Sequence, residues 1–243
     1  MIEVYTVQLS QFREAFFTVN AQIKQQALSY KLAKKRKEYL ASEWIRREVL
    51  ASYLNLPPDK IVFSVSDKGR PSVKGASALD FNISHSENHV VMAVAKKGKI
   101  GIDIQSMKEK TCILSIAEKY FSASEYHALS QLAKAGQQRL FYLFWTLKEA
   151  SLKLTGEGIA YGLSHYRFQI HQRKIAQQPH PKAKPLYYRT LLLDADTMLS
   201  MATDQPDIET SLFTFKETKV KGCNWQKTGL IYQNPADIIP FEI

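Results

Sequence analysis

A single aspartate interrupts the apolar segment Gly101-Ile102-Asp103-Ile104-Gln105. The isoleucines predict a β-strand in which Asp103 and Gln105 share one face and the isoleucines the other. If the Asp103 face is buried, its carboxylate needs a cation, a metal ion or hydrogen-bond donors. If that face is open to solvent, Asp103 is only the polar side of an amphipathic strand. The periodicity alone favours the solvated alternative.

A second acidic residue with potential chemistry is Glu149. Trp145, Glu149 and Lys153 are spaced four residues apart, near one face of a helix. In a functional interpretation, Glu149 offers oxygen to a hard metal ion and Lys153 offers a positive charge to a phosphate. In a structural interpretation, the two form a surface ion pair worth roughly a few tenths of a kcal/mol. Taken alone, the structural interpretation is favoured.

Three basic segments could bind phosphate. His85 lies between two serines at the end of a predicted strand, although a lone histidine is more often a structural hydrogen-bonding residue. Arg70, in a Gly-Arg-Pro turn, is either a phosphate ligand or a solvated turn residue. Residues 24–47 contain eight basic residues and two acidic ones, which form either one solvated helix face or a phosphate site: Lys24, Lys31, Lys34, Lys35, Arg36, Lys37, Arg46 and Arg47, with Glu38 and Glu43.

Both strands and helices must position these residues, so the pattern predicts an α+β fold. Each half of the chain contains a helix followed by strands, but the self-similarity is too weak to establish a duplication. The Pro- and Lys-rich residues 171–184 predict an exposed loop of unknown role. Strands are predicted at 1–9, 61–67 and 79–84, on both sides of a turn at Lys96–Lys99 within 88–105, and at 164–171, 186–203 and 211–215. Helical regions are predicted at 21–54, broken by Asn55, and at 113–154, ended by Gly156.

The composition limits the class of protein. The chain has 243 residues, of which 45% are hydrophobic, enough for one large domain or two ordinary ones. A net charge of +10 suggests a polyanionic partner, or only a soluble surface. Cys112 and Cys223 fit neither a metal spacing nor a disulfide framework, which indicates a reduced, cytoplasmic compartment. We expect neither a signal peptide nor a membrane span, because no basic start precedes an apolar core and no apolar run is long enough to cross a bilayer. The sequence has no zinc-like cluster, P-loop or nucleophile elbow.

Five segments taken in order resemble the 4′-phosphopantetheinyl transferases of the larger, Sfp-type subclass. They are GRP, FNISHS, GIDIQ, FSASE and FWTLKEASLK, within residues 68–153. The family's most diagnostic signatures are a Gly-hydrophobic-Asp strand and a Trp-x-x-Lys-Glu-x-x-x-Lys helix. The resemblance implies a monomer of two similar α/β halves that form an intramolecular pseudo-dimer. Residues 1–102 would contact the nucleotide phosphates, and residues 103–243 would hold the metal and catalytic residues.

The resemblance also implies an activity. Members of this family transfer the phosphopantetheine arm of coenzyme A to a serine of an apo carrier protein and release adenosine 3′,5′-bisphosphate. They require Mg²⁺, with Mn²⁺ as an alternative ion. The implied partners are acidic acyl, peptidyl or aryl carrier domains of fatty-acid, polyketide or nonribosomal-peptide synthesis, with no nucleic acid and no membrane.

The metal-site roles follow from the motif match. Asp103 and Glu149 would be metal ligands, with Glu149 also a candidate acceptor of the serine proton. Lys153 would stabilise charge on the diphosphate. Many relatives have glutamate where this chain has Gln105, a neutral and poorer ligand that we expect to weaken or alter the metal dependence. Glu125 matches an acidic position that the family often places near the metal.

The coenzyme A roles fall on residues upstream. Arg70 would meet the 3′-phosphate of the nucleotide, and Ser84 and His85 would hold further phosphates. In the basic helical region, Arg36 and Arg47 are the expected contacts.

Two alternatives stay open at this point. The basic run permits a nucleic-acid-binding protein, but that leaves Asp103 and Glu149 unexplained, and the sequence has no recognition motif for nucleic acid. The second alternative is a protein that binds coenzyme A but does not transfer its phosphopantetheine arm. In that case Gln105 would be a sign of lost activity. The presence of both Glu149 and Lys153 argues against it.

Overall fold

The computed structural model describes residues 1–16, 20–108, 112–158, 162–171, 174–206, 209–216 and 224–231. Over these residues the chain has a mixed α+β fold, which confirms the predicted fold class. The helices are α1 (Ala21–Ser29), α2 (Ala33–Leu54), α3 (Ile113–Tyr120), α4 (Ala123–Ser130) and α5 (Lys134–Thr155). The strands are β1 (Ile2–Gln8), β2 (Phe63–Val65), β3 (Pro71–Val73), β4 (Asp80–Ser86), β5 (His89–Ala95), β6 (Ile100–Ser106), β7 (Arg167–His171), β8 (Lys174–Gln178), β9 (Tyr187–Asp194), β10 (Thr197–Thr203), β11 (Thr210–Lys216) and β12 (Asn224–Ile231).

The described residues group into two compact units. The first unit contains β1 to β5, α1 and α2, together with β11 and β12; the second contains residues 67–70, β6 to β10 and α3 to α5. The predicted boundary between residues 102 and 103 falls inside β6. Because β6 runs unbroken through that point, the units divide before the strand, between Lys97 and Gly98.

The first unit is built on a five-stranded sheet of order β12-β11-β1-β5-β4. Strand β1 is antiparallel to β5 and parallel to β11, where Thr210 lies opposite Ile2. Strand β5 is buried along its whole length, as its apolar sequence requires. Helix α2 shares a core with this sheet, centred on the fully buried Trp44. The short strands β2 and β3 form a separate two-stranded sheet.

The helical region predicted at 21–54 is interrupted in the structure. The Asn20 side chain caps α1 by accepting a hydrogen bond from the Ile23 N–H at 2.9 Å. Tyr30 and Leu32 then adopt extended backbone conformations, so α2 starts as a separate helix at Ala33. Helix α2 ends as predicted at Asn55, which has a left-handed conformation with φ of 51°.

The second unit contains the antiparallel sheet β6-β10-β9, with α5 packed against it. A buried hydrogen bond of 2.7 Å between the hydroxyls of Thr146 on α5 and Ser200 on β10 fixes the helix on the sheet. Helix α5 ends at Gly156, whose φ of 73° is the left-handed conformation that glycine adopts without strain. The predicted end of this helix is therefore confirmed.

Part of the loop predicted at 171–184 is a strand. Lys174–Gln178 forms β8 and pairs antiparallel with β7, because Ile175 is an apolar residue that packs into the core of the second unit. The loop prediction was therefore wrong for Lys174–Gln178. Between β8 and β9 the chain has no helix or strand, as predicted for a loop, and residues 172–173 lie outside the described part. Among the described segments, no helix combines the length and apolar character needed to cross a bilayer.

Candidate active site

The approach of α5 to β6 builds the candidate site. Ile102 and Ile104 are fully buried on one face of β6, and the face with Gly101 and Asp103 is directed at α5. At Gly101 the helix backbone is so near that an added Cβ would overlap the Ala150 carbonyl oxygen. Glycine is therefore required for this packing, and it brings the next residue of the same strand face, Asp103, against the helix.

Asp103 is buried and ion-paired. Its side chain is 8% exposed, and its Oδ1 lies 2.5 Å from the Lys153 Nζ of α5. The solvated alternative that the periodicity favoured is therefore wrong, because α5 covers this face of the strand. The interpretation of Glu149 and Lys153 as a surface ion pair is wrong as well, because Lys153 is paired with Asp103 and Glu149 is buried.

Glu149 has an unsatisfied buried oxygen. Its Oε1 is buried and has no hydrogen-bond partner, although the residue is only 7% exposed. The pKa of Glu149 is raised from the ordinary 4.5 to about 7: burial is the largest cause, the negative charge of Asp103 adds to it, and the positive charge of Lys153 opposes both. A buried carboxylate oxygen without a donor costs free energy unless a proton or cation occupies its place.

The pair of carboxylates fits a Mg²⁺ ion. Asp103 and Glu149 interact electrostatically, and Glu149 presents the unpartnered oxygen. Mg²⁺ commonly binds through one or two carboxylates and completes its shell with water and substrate phosphates. In the described part of the chain, no three His, Cys, Asp or Glu residues form a metal cluster. Gln105 follows Asp103 on the same strand face, half-buried, and offers a neutral amide oxygen.

The raised pKa of Glu149 predicts a pH dependence of stability. Because the folded pKa of about 7 exceeds the ordinary 4.5, the stabilisation by the neutral form is complete below 4.5 and lost as the pH rises through 7. We expect Glu149→Gln to gain free energy of unfolding relative to the metal-free wild type between pH 5 and 8, by up to about 3 kcal/mol. Denaturant unfolding with a chelator measures this, and a difference that is constant with pH would contradict it.

Arg70 holds the ends of two elements of the second unit. Its guanidinium donates to the carbonyls of Lys153 and Leu154 at the end of α5, and to the Ile100 carbonyl of β6 at 2.8 Å. The carbonyls of Lys153 and Leu154 lie at the negative end of α5, where a cation is favoured. The predicted contact with a 3′-phosphate stays a prediction.

Glu125 is engaged by protein donors on both carboxylate oxygens. Oε2 accepts from the Ser122 N–H and hydroxyl at 2.8 Å each and from Lys148 Nζ at 2.9 Å. Oε1 accepts from the Phe168 N–H at 2.9 Å. Glu125 thus closes a capping box at the start of α4. Its predicted position near the metal is untested, but any metal contact would have to displace these donors.

Ser84 and His85 belong to β4 of the first unit. Ser84 is buried, whereas His85 is exposed and its Nε2 lies 3.6 Å from the Glu38 carboxylate of α2. Glu38 is itself buried and accepts from Lys35 at 2.7 Å. The imidazole of His85 therefore lies beside a buried carboxylate.

The two arginines expected from the basic region have different surroundings. Arg47 donates to the Ile61 carbonyl at 2.9 Å and to Glu43 at 3.4 Å, and its guanidinium lies over the Phe63 ring. A coenzyme A contact at Arg47 would have to exchange these interactions. Arg36 donates to the Tyr30 carbonyl at 3.3 Å, and its buried Nε has no partner.

Sequence reasoning missed two charged residues that the structure makes prominent. Lys148 is completely buried and paired with Glu125. The sequence feature that could have indicated this is the position of a lysine between Leu147 and Glu149, on the apolar side of an amphipathic helix. Glu38, the partner of His85, gave no signal, because the pairing depends on how α2 lies on β4.

Comparison with known proteins gives two family matches. Residues 99–200 match the 4′-phosphopantetheinyl transferase superfamily, and residues 5–97 match the family described as 4′-phosphopantetheinyl transferase, N-terminal. The 4′-phosphopantetheinyl transferase psf-1 of Bacillus pumilus is 34% identical over 69% of this chain and 71% of the relative. HetI of Nostoc sp. is 31% identical over 72% of each chain, and Sfp of Bacillus subtilis is 30% identical over 69% of this chain and 74% of the relative.

Proposed function

The chain belongs to the 4′-phosphopantetheinyl transferase superfamily, as an Sfp-type member with N- and C-terminal domains, and from this premise we propose that Asp103 and Glu149 form its Mg²⁺ site. The protein is a 4′-phosphopantetheinyl transferase, and coenzyme A and a carrier protein are its substrates. The observation that carries the metal assignment is the buried, unpartnered Oε1 of Glu149 beside Asp103.

Each charged residue of the site receives a role in phosphoryl transfer. The serine oxygen of the carrier attacks the phosphorus that bears the pantetheine, and the bond to the departing adenosine 3′,5′-bisphosphate breaks. When bound, Mg²⁺, or Mn²⁺ as the alternative, neutralises charge on the diphosphate. Lys153, already held at Asp103, supplies a second positive charge there. Such reactions depend mainly on positioning and charge stabilisation.

Glu149 is also the proposed acceptor of the serine proton, directly or through water. Its pKa of about 7 matches a general base that works near neutral pH. Binding of a metal ion would lower that pKa and make Glu149 a weaker base, so the ligand role and the base role compete for one carboxylate. Among the site residues, substitution of Glu149 is therefore expected to cause the largest loss of transfer activity.

Basic residues complete the proposed binding of coenzyme A. Arg70 would meet the 3′-phosphate, and Ser84 and His85 further phosphates, while Arg36 offers an unpartnered Nε. With a net charge of +10, the protein is suited to acidic carrier proteins. Electrostatic steering should speed their association and weaken as salt is added. We propose that the protein acts as a monomer in the cytoplasm, without nucleic acid or membrane.

The decisive experiment incubates the purified protein with coenzyme A, Mg²⁺ and apo acyl, peptidyl and aryl carrier proteins. Intact mass measurement should show the gain of one phosphopantetheine on at least one carrier, and none when a chelator is added. Relative rates would then distinguish fatty-acid, polyketide and nonribosomal-peptide carriers. Coenzyme A binding without transfer to any carrier would favour a protein that binds coenzyme A but has no transferase activity. Metal-independent binding of nucleic acid would favour a nucleic-acid-binding protein.

Gln105 predicts a particular metal dependence. Gln105→Glu adds a third carboxylate beside Asp103, and we expect half-maximal activity at an Mg²⁺ concentration about ten-fold lower, since ligand charge tunes the affinity for hard cations. The measurement is the transfer rate against Mg²⁺ concentration, with Gln169→Glu on the exposed part of β7 as the control. A complete loss of transfer in Gln105→Glu would show that the neutral amide is required.

A further inference from the structure

Lys148 is a fully buried lysine for which the transfer reaction described above provides no role. Its side chain is 0% exposed and its Nζ lies 2.9 Å from Glu125 Oε2. Nζ also donates to the Leu163 carbonyl at 2.9 Å and to the Tyr166 carbonyl. A lysine ammonium has three donors, so each donor here has an acceptor.

The ion pair of Lys148 and Glu125 joins four segments of the second unit. Lys148 belongs to α5, and Glu125 closes the first turn of α4. The two carbonyl acceptors lie in the turn before β7, and the second oxygen of Glu125 accepts from Phe168 in β7 itself. The position of α5 along and around its axis is therefore fixed by charged hydrogen bonds as well as by apolar packing.

Stability alone is a poor reason for such a pair. Removing two charges from water is costly, and apolar residues of similar volume often replace a buried ion pair without loss of stability. The environment is apolar, because the Phe121 and Phe168 ring centroids lie 5.1 Å and 5.7 Å from Nζ. What the pair provides, and apolar packing does not, is a directional constraint on the helix.

Glu149 is the residue that needs this constraint. It follows Lys148 directly, so the rotation that fixes one side chain on α5 also sets the direction of the next. Its Oε1 has no hydrogen bond of its own to hold it, and its counterpart Asp103 is on another element, β6. The separation of the two carboxylates thus depends on where α5 lies against β6.

We propose that Lys148 and Glu125 are positioning residues, which hold α5 so that the carboxylate of Glu149 meets that of Asp103 at the metal. The inference rests on the proposed metal role of Glu149. It assigns to Glu125 an action through α5, rather than contact with the ion or the substrates.

The test is the double variant Lys148→Met/Glu125→Gln, which removes both buried charges together and leaves neither unpaired. We expect its denaturant midpoint to stay close to that of the wild type. Its affinity for Mn²⁺, titrated with coenzyme A but without carrier and followed by the free-ion EPR signal, should fall by about 10- to 100-fold. Its kcat should fall by about 10²-fold, as for small misplacements of reacting groups. Lys134→Met, at the exposed start of α5, is the matched control and should change neither quantity.

A double variant with wild-type stability, Mn²⁺ affinity and kcat would overturn the proposal. If the double variant does not fold, Glu125→Asp provides the test. This substitution keeps the negative charge but shortens the side chain by one methylene, which moves the carboxylate away from Lys148. Weaker Mn²⁺ binding with an intact circular dichroism spectrum would support the positioning role, and unchanged binding would refute it. Glu149→Gln, titrated in parallel, separates the two claims: normal Mn²⁺ affinity in that variant would reject the metal site itself.

Discussion

Glu149→Gln should lower kcat for phosphopantetheine transfer by about 10²- to 10⁴-fold, the range expected for loss of a general base. The substitution keeps the size of the side chain but removes the charge that is proposed to bind the metal ion and to accept the serine proton. Because the ionised carboxylate is disfavoured in the metal-free fold, the variant should not be less stable at neutral pH. Single-turnover transfer to a carrier protein, measured by intact mass at saturating Mg²⁺, gives the rate.

The control for this prediction is Glu14→Gln, an exposed acid of the first unit. It should transfer at the wild-type rate, because its charge is solvated and no part of the proposed reaction uses it. Near-normal transfer by Glu149→Gln itself would reject both of its proposed roles. Asp103→Asn offers a second check, since loss of the other carboxylate should also weaken Mn²⁺ binding.

Gly101→Ala should destabilise the second unit by about 3 kcal/mol or more and reduce transfer with it. The added Cβ would overlap the Ala150 carbonyl oxygen and lie 2.7 Å from the Leu154 nitrogen, and both are backbone atoms. Helix backbone atoms cannot rearrange locally as the end of a flexible side chain can, so the whole of α5 must move away from β6. Overpacking of this kind commonly costs about 1–3 kcal/mol, and more where nothing can relax.

The matched control is Gly136→Ala on α5 itself. There the added Cβ meets only the Leu132 side chain, at 3.3 Å, and alanine is favoured over glycine within a helix by roughly 0.5–1 kcal/mol. We therefore expect an unfolding midpoint at or slightly above that of the wild type. Equal midpoints for Gly101→Ala and wild type would mean that α5 is not held against β6 as described.

Residues close together in sequence carried most of the predictive information about the site. The alternation around Asp103 predicts a strand with the carboxylate on one face, and the four-residue spacing of Glu149 and Lys153 predicts a shared helix face; both were confirmed. Periodicity does not reveal what covers a face. It therefore favoured a solvated Asp103 and a Glu149–Lys153 pair, and the packing of α5 on β6 overturned both.

Long-range pairings were beyond reach for the same physical reason. The acceptors of Lys148 come from α4 and from the turn before β7, and those of Arg47 include Ile61. A basic residue gives the same sequence signal whether it binds a ligand, a backbone carbonyl or water. Only the fold decides among these, which is why the basic region could be assigned to phosphate binding from the resemblance alone.

The parallel pairing of β1 with β11 imposes an order on biosynthesis. When β1 leaves the ribosome, β5 soon follows to cover one edge, but Thr210, the neighbour of Ile2 on the other edge, is made much later. All strands of the β6-β10-β9 sheet emerge before it. The nascent chain should thus complete the second sheet first, with one edge of β1 left open meanwhile. Open strand edges promote association between chains, so slower translation between β10 and β11 should increase aggregation of the newly made protein.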